Sequence, residues 1–230
     1  MKVEPMAAEL PLGTRLESLA KLLGSVRGAA VEVVVSDRFA RYFPFQRLPG
    51  VRTVEELGTT VMAVFEERFG QQFADWELRF DIGPLSPRGF ACALPRPLVE
   101  GVRELVAGLG GKRVSITTFY CASINAYADA IPAVAWVAAH ADRQTTLGRC
   151  EDGVWHSVRA LEGDDPVALD ELIERERLRG VYPDGDTPAY AMGVWPQAGQ
   201  GVQRLGADHW PGQGASFSSD YRVALAGVWN

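Results

Sequence analysis

The sequence predicts a layered α/β protein with mixed sheets. Strand-length apolar runs alternate with amphipathic segments of helical length along the 230 residues. Helix starts and stops are marked by capping boxes, prolines and glycines. From Ala133 to Ala160, three strand-length runs are joined by two short polar turns, the second of them Asp152-Gly153. That dipeptide is a strong hairpin signal, because a primed turn needs φ > 0 and Gly supplies it without steric cost. A meander of this kind, followed by a helix and another strand, opens a layered α/β unit. The grammar of strands, helix and strand occurs twice. Two lobes are therefore expected, residues 1–130 and 131–230, with the joint near Ala130 to Pro132.

Thr14 to Arg27 reads as the first helix. Thr14 and Glu17 have capping-box spacing, Leu16, Leu19, Leu22, Leu23 and Val26 share a face, and Gly28 ends it. Val31 to Ser36 reads as a buried strand. Asp37-Arg38 turn the chain, and Phe39 to Phe45 return as a strand that Pro44 caps or confines to an edge. Thr53 and Glu56 form a second capping box for a helix reaching Phe69, with Gly70 at the C-cap. Trp76 to Asp81 and Gly89 to Leu94 are strands. Pro95 and Pro97 open a helix that runs to Leu109. Val114 to Phe119 is a strand and Tyr120 to Ala130 a helix. After the meander, Asp164-Asp165-Pro166 starts a helix to Arg179, with acids first and Arg175, Arg177 and Arg179 last, as the helix dipole favours. Pro188 to Val194 is a late strand. Ala198 to Ser219 is Gly-rich and irregular, and Tyr221 to Trp229 is a final apolar element.

Composition bounds the function. Hydrophobic residues make up 47% and charged residues 23%, with a net charge of −6. No basic stretch stands out, so no nucleic-acid partner is expected. The longest nearly apolar run, Ala130 to Ala139, is about half the roughly 20 residues a membrane span needs. No signal peptide is visible, and a cytoplasmic location is expected. Cys92, Cys121 and Cys150 are odd in number and widely spaced, which favours reduced thiols over a disulfide frame.

Candidate chemistry is sparse. Cys121 sits where a strand meets a helix, a position that can stabilise a thiolate. A hydrolase would need His140 or His156 as a base, and the Gly-x-nucleophile-x-Gly elbow is missing. The alternative is a small buried residue. His140, Cys150 and His156 lie on one meander but match no zinc-site spacing, so no metal site is expected. His209-Trp210 reads as a loop anchor. Gly110-Gly111-Lys112 follows a helix and precedes a strand, the reverse of a phosphate-binding loop. Gly199-Gln200-Gly201 lacks dinucleotide spacing. Glu171 to Arg179 reads as a solvated helix face.

With this order in view, the chain resembles the actin-like cytoplasmic components of bacterial inner-membrane assembly platforms: PilM of type IV pili and the cytoplasmic domain of type II secretion protein L. The likeness is best from Val31 to Ala160. It is carried by the run Val31 to Phe45, read as a strand pair ending in an exposed Pro, by Phe90-Ala-Cys-Ala-Leu-Pro-Arg-Pro-Leu-Val-Glu, by Leu109-Gly-Gly-Lys-Arg-Val, and by the meander. The resemblance implies an actin-like, ribonuclease H-like, two-lobed fold with a shortened N-terminal part, since the family's opening strand-turn and its phosphate loop are missing. In ATP-binding members the first meander strand ends in Asp-hydrophobic-Gly. Counting back from Asp152-Gly153, this triplet is Ala139-His140-Ala141. The metal-holding Asp is thus Ala139 and the close-approach Gly is Ala141, while Thr145, Thr146 and Arg159 keep the outline. Ala191-Met192-Gly193-Val194 lacks the paired glycines that would cradle adenosine.

The resemblance implies a non-catalytic scaffold with no cofactor, peripheral to the inner membrane through its partners. Those partners would be platform proteins of a pilus or secretion system, with the assembly ATPase as a further candidate. One alternative is a divergent ATP-binding member of the actin/sugar-kinase superfamily, with Asp142, Asp164 and Asp165 serving a metal. The other is a Cys121-dependent hydrolase.

Overall fold

The computed structural model describes residues 11–83, 86–141, 143–162, 168–180, 187–193, 195, 199 and 201–206. Helix α1 (Leu12–Leu23) is followed by β1 (Ala30–Val35), a 3-10 turn at Asp37–Phe39, and β2 (Arg41–Gln46). Then come α2 (Val54–Phe69), β3 (Trp76–Ile82), β4 (Arg88–Pro95), α3 (Arg96–Gly108), β5 (Arg113–Thr118) and α4 (Phe119–Ala126). The meander is β6 (Ala135–Ala141), β7 (Gln144–Glu151) and β8 (Val154–Glu162), followed by α5 (Leu169–Arg179), β9 (Ala189–Gly193) and β10 (Val202–Arg204).

The strands form three sheets. β1 and β5 make a two-stranded parallel ribbon, and β2-β4-β3 an antiparallel sheet. The third has the order β10-β9-β6-β7-β8, antiparallel through the meander and parallel from β6 to β9 to β10. Asp152 (φ 51°) and Gly153 (φ 73°) are both left-handed, as the primed turn requires.

Helix α2 shows how local signals become packing. Thr53 Oγ1 accepts from Glu56 N–H at 3.2 Å, Glu56 Oε2 accepts from Thr53 N–H at 3.1 Å, and Gly70 closes the helix at φ 62°. Leu57, Val61 and Phe65 are then buried against Phe43, Phe45 and Trp76 of the antiparallel sheet. Each such burial stabilises by about 1.5–3 kcal/mol, and Phe65→Ala would cost about 3–5 kcal/mol. Arg103 of α3 fastens this sheet from outside, with two bonds of 2.7 Å to Glu77 of β3.

Several expectations need correction. The first helix begins after Pro11, not at a Thr14 cap, and Thr14 lies within it, its carbonyl accepting from Ser18 Oγ at 3.0 Å. It ends at Gly24, whose φ of 60° stops it a turn before Gly28. The expected strand pair does not form: β1 pairs with β5 and β2 with β4. Only Val35 of β1 is buried, because the two-stranded ribbon leaves Glu32 and its neighbours partly open. Pro44 does not end β2. It sits inside the strand, opposite Phe90, and β2 is an edge strand, as the other of the two expected readings had it. Helix α4 stops at Ala126, and a 3-10 turn at Ala128–Ala130 follows.

The Gly-rich stretch contains β10, three residues paired with β9. Glu176 is not on a solvated face. It is 4% exposed and binds Arg159 and Arg179, each at 2.9 Å. The helix start at Asp164–Pro166 and the element from Tyr221 to Trp229 lie outside the described residues. The largest apolar cluster crosses the expected joint near residue 130, uniting Val35, Tyr42, Leu98 and Tyr120 with Val137, Ala139 and Met192.

Candidate functional site

The site to test is the face of β6 and β7 around Ala139, the position that the sequence resemblance marks for a metal-holding residue. Alternation along β6 sends Ala135, Val137 and Ala139 to one side and Trp136 and Ala138 to the other. Ala139 is fully buried, and its cross-strand partner on that face is Thr146. His140 points to the opposite face. It is 7% exposed, its Nδ1 lies 2.8 Å from Thr145 Oγ1, and its ring lies 5.7 Å from that of Trp195. Burial holds its pKa below the ordinary value. Gly193 of β9 has φ 85°, and a Cβ there would strike the His140 carbonyl. Ala141 ends β6 opposite Gln144, and Arg143 takes φ 60° in the connecting turn.

The Ala139–Thr146 face is covered by a carboxylate from the other half of the chain. Asp37, in the turn after β1, is 4% exposed. Its Oδ1 accepts from Tyr42 Oη at 2.5 Å and from the Tyr120 N–H at 3.0 Å, and its Oδ2 accepts from Thr146 Oγ1 at 3.1 Å. Burial raises its pKa from 3.8 to about 6, against the three donors, which pull it down. Tyr120 Oη donates to the Val137 carbonyl at 3.2 Å, and Gly148 leaves room for that hydroxyl. The Tyr42 and Tyr120 rings lie 5.5 Å apart. Ala139 brings no side-chain oxygen to this face, and the carboxylate beside it accepts three hydrogen bonds.

The other candidates are engaged elsewhere. Cys121 N–H reaches Thr118 Oγ1 at 3.4 Å, and the Cys121 sulfur meets the Cys92 thiol of β4. The Cys92 thiol, with help from Thr118, lowers the pKa of Cys121, whereas this contact and burial push Cys92 well up. Cys121 also lines a cavity of about 560 Å³ with Phe90, Asp152 and Trp155. His156 has Arg88 Nη1 at 3.1 Å from its Nδ1 and Glu151 Oε2 at 3.6 Å from its Nε2. Cys150 is buried in β7. Among the described residues, no group of three or more His, Cys, Asp or Glu could hold a metal ion. Gly110 (φ 81°) and Gly111 serve the end of α3, where a Cβ on Gly111 would strike Val106. Gly199 lies against Asp170, with no room for a side chain between them. Asp142, Asp164, Asp165 and His209-Trp210 lie outside the described residues.

Asp37, Tyr42 and Tyr120 escaped sequence reasoning. A carboxylate between two apolar strands, followed five residues later by a Tyr, was the available signal, but a turn explains Asp equally well.

No protein-family model matches this sequence, and no curated protein matches it. Comparison with solved structures defines the class: an actin-like fold. The chain superposes on a Bacteroides thetaiotaomicron protein with an actin-like ATPase fold at a TM-score of 0.55, with 8% identity over 88% of this chain and 79% of that one. More particular likenesses are to the PilM–PilN type IV pilus biogenesis complex (TM-score 0.64, 17% identity, 99% of this chain and 90% of that one) and to the cytoplasmic domain of EpsL, an inner-membrane component of the type II secretion system of Vibrio cholerae (TM-score 0.55, 11% identity, 94% and 79%). The fold is thus the actin-like fold of the PilM and EpsL kind. No helix among the described residues is long and apolar enough to cross a membrane.

Proposed function

We propose that this chain is a non-catalytic, actin-like scaffold of a bacterial type IV pilus or type II secretion platform, acting by protein–protein contact at the cytoplasmic face of the inner membrane. The observation that carries the reading is the Ala139–Thr146 face. A metal-binding carboxylate has no counterpart at Ala139, and Asp37, Tyr42 and Tyr120 occupy the space in front of it. Without an oxygen ligand at that strand end, Mg-nucleotide loses the charge that would hold it. The likeness to PilM and EpsL supports the platform setting.

The partner would be a membrane protein encoded beside this chain and bearing a short cytoplasmic tail. Titrating a synthetic peptide of that tail should give saturable binding that Mg-ATP leaves unchanged. Absent binding, or binding that requires Mg-ATP, contradicts the reading.

A further inference from the structure

The chain carries a net charge of −6, yet one groove is walled by arginines. It follows the seam where β2 and β8, edge strands of different sheets, run side by side. Its volume is about 420 Å³, and its lining includes Arg38, Arg41, Arg68, Arg159 and Gln144, with Asp37 and Glu162 as its carboxylates. A smaller recess of about 110 Å³ continues it past Arg68 and Arg159 to His156 and Arg179. The span along β8 from His156 to Glu162 is roughly 20 Å at about 3.3 Å per residue.

Charge in the groove is unbalanced. Arg159 and Arg179 share Glu176. Arg41 lies over the Trp76 ring at 5.3 Å. Arg38 and Arg68 have no ion pair among the described residues. Burial, and then the Arg159 guanidinium, hold Arg68 below its ordinary pKa. A second observation points the same way. Gln144 is 2% exposed, lines the groove, and its Nε2 has no hydrogen-bond partner. A buried amide donor left unmade is costly, and an acceptor arriving in the groove would satisfy it.

We propose that this groove binds an extended, acidic peptide segment of a partner protein, its carboxylates set against Arg38, Arg68 and Arg159 and a carbonyl or carboxylate oxygen accepting from Gln144. Several cations spread along a seam suit a chain bearing spaced carboxylates better than one compact anion. The inference deepens the scaffold reading by giving the partner a chemistry. Its test uses neither nucleotide nor platform protein, so either can fail alone.

The probe is fluorescein-labelled octaglutamate, followed by anisotropy at low ionic strength with the full chain. Saturable binding that weakens with salt is expected despite the acidic protein. Arg68→Glu and Arg38→Glu should each weaken it about tenfold, with unchanged circular dichroism. Arg52→Glu, an equal charge change on an exposed residue at the far end of α2, should leave it within about twofold. If Arg68→Glu does not fold, Arg38→Glu carries the comparison. No binding, or equal losses in the Arg38 and Arg52 variants, overturns the proposal. So does inorganic triphosphate binding in the groove while octaglutamate does not.

Discussion

Asp37 and Thr146 lie 109 positions apart and are joined by a hydrogen bond of 3.1 Å inside the protein. The bond ties the turn after β1 to the second strand of the meander. It lies on the face that Ala139 shares with its cross-strand partner Thr146. The same Asp37 also holds Tyr42 and the start of α4.

Asp37 gives a pH signature. Its pKa rises from 3.8 to about 6 on folding. The folded chain therefore holds this proton more tightly than the unfolded chain, and stability from this group falls as pH rises through that window. At about 1.4 kcal/mol per unit the loss is about 3 kcal/mol. Asp37→Asn cannot titrate there. Urea unfolding at both ends of the window should show wild type losing about 3 kcal/mol relative to the variant. His140, with its lowered pKa, acts in the opposite sense, and its contribution cancels in that difference.

Placing a carboxylate at position 139 should harm the fold. Ala139 is fully buried beside Thr146 and Met192. Ala139→Asp would bury a second carboxyl among the apolar side chains of the face that Asp37 already occupies. Destabilisation on the order of 3 kcal/mol is expected by denaturant unfolding, whereas Ala139→Ser should cost less.

Thiol reactivity should be ordered. Cys121 lines a cavity and its sulfur is favoured as thiolate by Cys92, while the pKa values of Cys92 and Cys150 are raised. Iodoacetamide at neutral pH should label Cys121 first, as read by peptide mass spectrometry. Cys92→Ser should change that rate, because it alters the donor on the Cys121 sulfur.

Glu176 should matter more than its exposed neighbours on α5. Glu176→Ala leaves the half-exposed Arg159 and Arg179 without their shared carboxylate and should cost about 1–2 kcal/mol. Glu171→Ala removes an exposed pair with Arg175 and should cost less than about 0.5 kcal/mol. Paired thermal melts separate the two.

Local features were legible in the sequence wherever one short stretch decides them. The Thr53–Glu56 box, the Gly70 cap and the Asp152-Gly153 turn all depend on neighbours within a few residues, and each forms. The pairing of β1 with β5 was hidden because nothing in Val31 to Ser36 specifies a partner 83 residues on. Asp37 was hidden for the same reason, since its role exists only once Tyr120 and Thr146 arrive beside it. Glu176 looked solvated because charged residues flank it in the helix, and its partner Arg159 arrives from β8, distant in sequence.

Isothermal titration with Mg-ATP tests the central claim most directly. With the Ala139–Thr146 face filled from the other half of the chain, no saturable heat is predicted up to millimolar nucleotide. One-to-one binding with micromolar affinity, lost on substitution of Asp37, would show that the face still holds a metal and would contradict the account.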